Sequence, residues 1–148
     1  MRSANHRPVG AARPILEGMA ITLNHTIVAA RDKTESATFL TELFDLSAAR
    51  PFGPFLVVGV GDTSLDYAEV GAGEDIHPQH YAFLVSEDEF DVIYGRIHDR
   101  GLPYWADPRG TRPGEINHND GGRGVYFRDP AGHSLEILTR PYGSGGSG

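Results

Sequence analysis

The sequence predicts an α+β fold in which one structural unit is used twice. Three observations carry this. Two strand-like runs, residues 21–29 and 80–85, each lead straight into a helix-start signal. Each helix is followed by further strand-like runs. The chain then closes on a hairpin over residues 124–139.

In the first run, ITLNHTIVA, Leu23, His25 and Ile27 share one face, and Thr22, Asn24, Thr26 and Val28 share the other. Asp32 then reads as a helix N-cap, with Glu35 three residues on. Phe39, Leu40 and Leu43 supply that helix's apolar stripe. Residues 55–60 and 64–70 read as a hairpin turning at Gly61-Asp62. A polar loop, residues 71–79, leads to the second run, HYAFLV. Ser86 and Glu89 form a capping box for the second helix; Phe90, Ile93 and Ile97 face the core, and Gly101 ends it. Residues 103–105 begin another strand. The long connection 106–123 has three prolines and carries Glu115-Ile116-Asn117-His118; connections of this length are functional or disordered.

The closing hairpin is specific in its geometry. Asp129-Pro130-Ala131-Gly132 fits a type I turn, with Asp at the first position, Pro at the second and Gly at the fourth. A left-handed Gly132 makes it a three-residue loop closed by a bulge. That register pairs Asp129 with His133 and Tyr126 with Glu136. A phenol and a carboxylate then stand side by side on one face. A two-residue loop would put them on opposite faces, and the Pro and Gly positions favour the first.

A chain of 148 residues is read as one domain. A formal net charge of -7 argues against nucleic acid or an anionic membrane as partner. There is no cysteine, hence no disulfide, thiolate ligand or cysteine nucleophile. No apolar run approaches the roughly 18 residues that span a bilayer, and no secretory h-region is present, so the cytoplasm is the default location. Residues 1–18 read as a disordered extension, with Met19 as a natural start. Residues 142–148, rich in Gly and Ser, read as a flexible tail. The folded domain is expected over 19–141, with units at about 20–70 and 79–140.

His25 and His80 lie 55 residues apart at matching places in the two units, and Glu136 lies on the last strand. Each stands in an apolar or β-branched context. Two imidazoles and one carboxylate are the ligand set of a facial triad, which leaves positions open on Fe(II), Mn(II) or a similar ion. Singly, a strand His is more often a satisfied core or surface residue, and a strand Glu is usually solvated. His77 is an alternative ligand close to His80. His6 falls in the extension, His98 near a helix C-terminus where a cation suits the dipole, and His133 opposite Asp129 as a structural pair. Arg123 and Arg128 are candidates to pair a substrate carboxylate.

The order strand-His, helix, strands, strand-His, helix, strands, closing on DPAGHSLE, resembles the vicinal oxygen chelate superfamily over roughly residues 20–141. That group includes glyoxalase I, fosfomycin-modifying enzymes, bleomycin-resistance proteins and extradiol dioxygenases. The resemblance implies two βαβββ units forming a curled mixed-sheet cup around a metal, with His25, His80 and Glu136 as ligands. A narrower likeness is to the type I extradiol dioxygenase pattern. Here it reads Ile116-x-His118, six residues, Val125-Tyr126, two residues, Asp129-Pro130-x-Gly132, three residues, Glu136. That likeness places His118 and Tyr126 beside the metal, donating to the substrate or oxygenated intermediate.

The chain departs from the large extradiol enzymes in having one such domain. Where they carry a further active-site His, Asp66 stands in SLDYAE. Asp66 is then a base or substrate contact, a fourth metal ligand as in glyoxalase I, or a solvent-facing residue. The leading expectation is a metal-dependent dioxygenase cleaving a catechol-like substrate, using Fe(II) foremost, with Mn(II), Zn(II) or Ni(II) also compatible. The rivals are a glyoxalase-like isomerase or thiol transferase, and a metal-free drug-binding module. Single-domain members are often homodimers, some exchanging units between chains, so His25 is a candidate for a partner's site.

Overall fold

The computed structural model describes residues 20–145. The extension expected over residues 1–18, with His6, lies outside the described residues. Eight strands and two α-helices run in the order β1 (His25–Ala30), α1 (Lys33–Phe44), β2 (Arg50–Phe52), β3 (Phe55–Val60), β4 (Thr63–Glu69), β5 (His80–Leu84), α2 (Glu87–Asp99), β6 (Tyr104–Trp105), β7 (Gly124–Arg128) and β8 (Ser134–Leu138). The strands form two four-stranded sheets, β1-β4-β3-β2 and β5-β8-β7-β6. In each, the strand before the helix pairs parallel with the last strand of its unit, and the other pairs are antiparallel. The βαβββ unit occurs twice, as an α+β cup-like fold.

The start signals act as the sequence suggests. The Asp32 side chain accepts from the Glu35 amide at 3.0 Å. Ser86 and Glu89 make both bonds of the capping box, each at 3.1 Å. Gly132 adopts φ +91° and its amide reaches the Asp129 carbonyl at 3.0 Å, closing the turn. The register then pairs Tyr126 with Glu136.

Two boundaries differ for physical reasons. β1 begins at His25 and not at residue 21, because its ladder with β4 starts at the His25–Ser64 pair, next to the start of β4 at Thr63; Ile21 and Leu23 are left exposed. β2 was not anticipated. It is a three-residue edge strand containing Pro51, too short to alternate and tolerated only at an edge, where a missing amide is harmless.

One core lies between the sheets and both helices. Val28, Val58, Leu65 and Tyr67 enter it from the first sheet. Val125, Phe127, Leu135 and Ile137 enter it from the second. Burying a side chain such as Phe127 is worth about 1.5–3 kcal/mol. The units are also tied by polar groups. Arg96 of α2 donates to the Glu42 and Leu43 carbonyls and to the Asp45 carboxylate, so it caps the C-terminus of α1.

His133 is the second tie. Its ring is buried; Nδ1 accepts from the Gln79 amide at 2.9 Å, so Nε2 carries the proton and donates to the Ala29 carbonyl at 2.8 Å. Its expected pairing with Asp129 is made by the backbone instead: the His133 amide donates to the Asp129 carboxylate at 2.8 Å. His133→Ala should therefore lower stability by about 2–3 kcal/mol. Denaturant unfolding should show a lower midpoint with an unchanged slope.

Candidate metal centre

Glu136 sits in the middle strand pair of the second sheet and is almost fully buried, at 1% exposure. The parallel pairing of β5 with β8 sets His80 opposite Ser134, two residues from Glu136 and on the same face. The antiparallel pairing of β7 sets Tyr126 directly opposite Glu136. These registers converge three side chains: His80 Nε2 lies 3.0 Å from Glu136 Oε1, and the His80 and Tyr126 rings stack with centroids 5.9 Å apart. Burial, ahead of the neighbouring Glu136 charge, raises the Tyr126 phenol above its ordinary pKa.

The donor chemistry of this pair suits a cation. His80 Nδ1 lies 3.1 Å from the Ser134 carbonyl, which can accept its proton. A neutral His80 donating there presents the Nε2 lone pair toward a carboxylate that has only lone pairs. Bonds of about 2.1 Å to one ion would place adjacent ligand atoms about 3 Å apart, matching the observed spacing. The second-sphere carbonyl on Nδ1 is the partner that orients a ligating imidazole.

Tyr142, from the stretch expected as a flexible tail, completes the surroundings of Glu136. Its hydroxyl lies 2.6 and 2.5 Å from the two carboxylate oxygens and 2.8 Å from the Tyr126 hydroxyl. Burial, with these bonds adding to it, raises its pKa. Sequence reasoning passed over Tyr142; an aromatic residue between Pro141 and Gly143, just past a strand, was the available signal.

His25 lies elsewhere. It is exposed, with Nδ1 2.7 Å from Asn24 Oδ1. It lines a cleft of about 480 Å³ on the open face of the first sheet, together with Ile27, Arg50, Phe52, Ser64 and Asp66. Asp66 accepts from the Ser64 hydroxyl at 2.9 Å, so it shares the His25 cleft and not the Glu136 site. Among the described residues, no three His, Asp or Glu side chains converge as a metal-binding group. The chain thus brings together His80, Glu136 and Tyr126, and keeps His25 and Asp66 apart from them.

His118 is exposed and opens a 3-10 turn, Asn119–Gly121. The loop that carries it is fixed by Asn117, whose side chain donates to the Ala106 carbonyl at 2.8 Å and whose backbone pairs with Gly124. A Cβ on Gly124 would come within 2.8 Å of that amide, so the close approach requires glycine. Arg123 is committed elsewhere, to Glu87 and Asp91 at 2.7 Å each, with its guanidinium over the Phe90 ring. Arg128 stacks over Trp105.

A family model described as the Glyoxalase/Bleomycin resistance protein/Dioxygenase superfamily matches residues 22–137. The chain belongs to this superfamily. Its members generally use divalent metal ions. Among curated proteins, the glutathione transferase FosA of Serratia marcescens is 32% identical, with 80% of this chain and 81% of that protein covered. Among solved structures, the oxidase ChaP-H2 is 62% identical with TM-score 0.83, covering 86% of this chain and all of that one. The oxidase ChaP-H1 is also 62% identical, with TM-score 0.80, over 84% of this chain and 99% of that one. The fosfomycin resistance protein FosX of Mesorhizobium loti, at 21% identity and TM-score 0.58 over 86% of this chain and 95% of that one, shares the fold.

If His80 and Glu136 hold an ion, His80→Ala or Glu136→Ala should weaken divalent-metal binding by more than the roughly 100-fold that loss of an outer-shell partner can cost. Calorimetric titration with Mn(II) measures this. Circular dichroism should show the fold retained in His80→Ala, whose side chain is half exposed.

Proposed function

We propose that this protein is a metal-dependent oxygenase of the extradiol type, cleaving a catechol-like aromatic diol, and that its site is shared between two copies of the chain. The observation that carries the reading is the meeting of His80, Glu136 and Tyr126 on one face, with the imidazole Nε2 3.0 Å from the carboxylate. The third ligand in this reading is His25 of a second copy. Support comes from the apolar side chains exposed on both open faces: Ile27 and Phe52 beside His25, and Leu84 on the same face of β5 as His80. Exposed side chains of this kind are surface that a second copy can cover. A two-fold pairing of one face with the other would bury it and form two identical sites.

Fe(II) is the ion this reading favours, with Mn(II), Zn(II) and Ni(II) compatible with the same donors. When bound, the metal supplies the chelation of the diol and the redox chemistry with O2. The chain supplies orientation and protons. His80 and Glu136 fix the ion's place on rigid strands. Tyr126, mostly buried and raised in pKa, stays protonated at neutral pH and so can donate to a substrate oxygen. His118, on the exposed loop, is the second proposed donor, brought to the site by the second copy or by movement of its loop. Asp66, beside His25, is the proposed substrate contact or base.

A second reading is thiol transfer, favoured by the likeness to the Serratia FosA. The higher identity to the two oxidases weighs against it.

The test is to load the protein anaerobically with Fe(II), measure iron by elemental analysis, and follow O2 uptake across a panel of catechols. The expected result is about one iron per chain and O2 uptake with ring-cleaved product. Bound iron without O2 uptake on any diol would reject the dioxygenase reading. A Tyr126→Phe variant should lower kcat by about 100-fold or more while metal content is unchanged.

A further inference from the structure

Tyr142 lies past the last strand and outside residues 22–137, the part of the chain that the family shares. Its hydroxyl nevertheless contacts both oxygens of Glu136, at 2.6 and 2.5 Å. A phenol has one proton, and an ionised carboxylate only accepts. The Tyr142 proton therefore goes to Glu136. The Tyr126 hydroxyl, 2.8 Å away, must then donate its own proton to the Tyr142 oxygen. One hydroxyl thus sits across the front of both carboxylate oxygens, where an ion would bind, and also commits the proton of Tyr126.

From this we propose that Tyr142 is a latch acting through Glu136 and Tyr126, which has to open before either group can serve a metal or a substrate. The inference rests on the reading of Glu136 as a metal ligand. An ion bound through Glu136 would need the place in front of the carboxylate where the Tyr142 hydroxyl sits. The substrate would claim the proton that Tyr126 gives to Tyr142.

The segment carrying the latch is built to release. Tyr142 is 61% exposed, so little apolar surface holds its ring in place. Among the described residues, the segment is shaped by bonds from the Ser144 amide and hydroxyl to the Pro141 carbonyl and from Arg140 to the Ser144 carbonyl. Besides the Tyr142 contacts, the Gly145 amide reaches outward to the Asp120 carboxylate at 3.2 Å. Gly145 also packs directly on the Asp120 backbone, where no side chain would fit. Asp120 belongs to the 3-10 turn that follows His118. Opening the latch therefore also releases this turn from the tail segment, while Asn117 keeps the loop anchored at its base.

The test compares wild type with Tyr142→Phe, which keeps the ring and removes the hydroxyl. Mn(II) affinity is read from the electron paramagnetic resonance of the free ion. Removing a competing hydrogen bond to a charged group should tighten Mn(II) binding by about tenfold or more. Hydrogen exchange of residues 139–145 should quicken on adding Mn(II) to wild type. In Tyr142→Phe it should be fast with or without Mn(II). Unchanged or weaker Mn(II) binding in Tyr142→Phe, with wild type binding one ion per chain, would overturn the latch alone, since a merely structural role gives that result. Absence of Mn(II) binding in both forms would overturn the metal reading, and the latch with it.

Discussion

A buried carboxylate in the middle of a sheet is the constraint on which the rest of this structure depends. Glu136 is nearly inaccessible to solvent and lies on a strand flanked on both sides by others. Desolvating an ionised carboxylate without partners would cost several kcal/mol. The fold answers with two phenols: Tyr142, from beyond β8, donates to the carboxylate, and Tyr126 of β7 donates in turn to the Tyr142 oxygen, while His80 Nε2 of β5 lies 3.0 Å from the same carboxylate. Structure spends its hydrogen bonds here on a charge that adds nothing to packing. Such an arrangement makes sense where the charge has work to do.

The second constraint is the single core. Both sheets turn one face to the same apolar interior, shared with both helices and tied by Arg96 and His133. The faces left over carry the polar constellations: His25, Ser64 and Asp66 on one sheet, His80, Tyr126 and Glu136 on the other. Two sheets that share a core between them present their remaining faces outward. A facial triad drawn from both faces then needs a second copy of the chain. The same packing that stabilises one chain separates the proposed ligands.

Much of this was legible in the sequence because it is set locally. Capping boxes, turn chemistry and a hairpin register depend on residues a few positions apart. The pairing of Tyr126 with Glu136 follows from Pro130 and Gly132 alone. Repeat position placed His25 and His80 on equivalent strands, and both are the first residues of those strands. Whether equivalent strands face one another is a matter of packing, which no local rule encodes. The role of Tyr142 was hidden for a related reason, its position past the strand being the single hint. Its surroundings in sequence are those of a tail, and its role comes from a side chain reaching back across six residues to a strand. Arg123 looked available until α2 supplied two acids to it.

The claim that the site is shared between copies is tested most directly by complementation. His25→Ala and Glu136→Ala chains are prepared separately, each without activity, and mixed one to one under conditions that exchange subunits. In a mixed pair, one site receives the intact His25 of one chain and the intact His80 and Glu136 of the other, and its twin receives both defects. Statistical mixing should restore about a quarter of wild-type activity, with a matching fraction of bound metal. No recovery in a mixture shown to contain mixed pairs would contradict the shared site and would require His25 to act within its own chain.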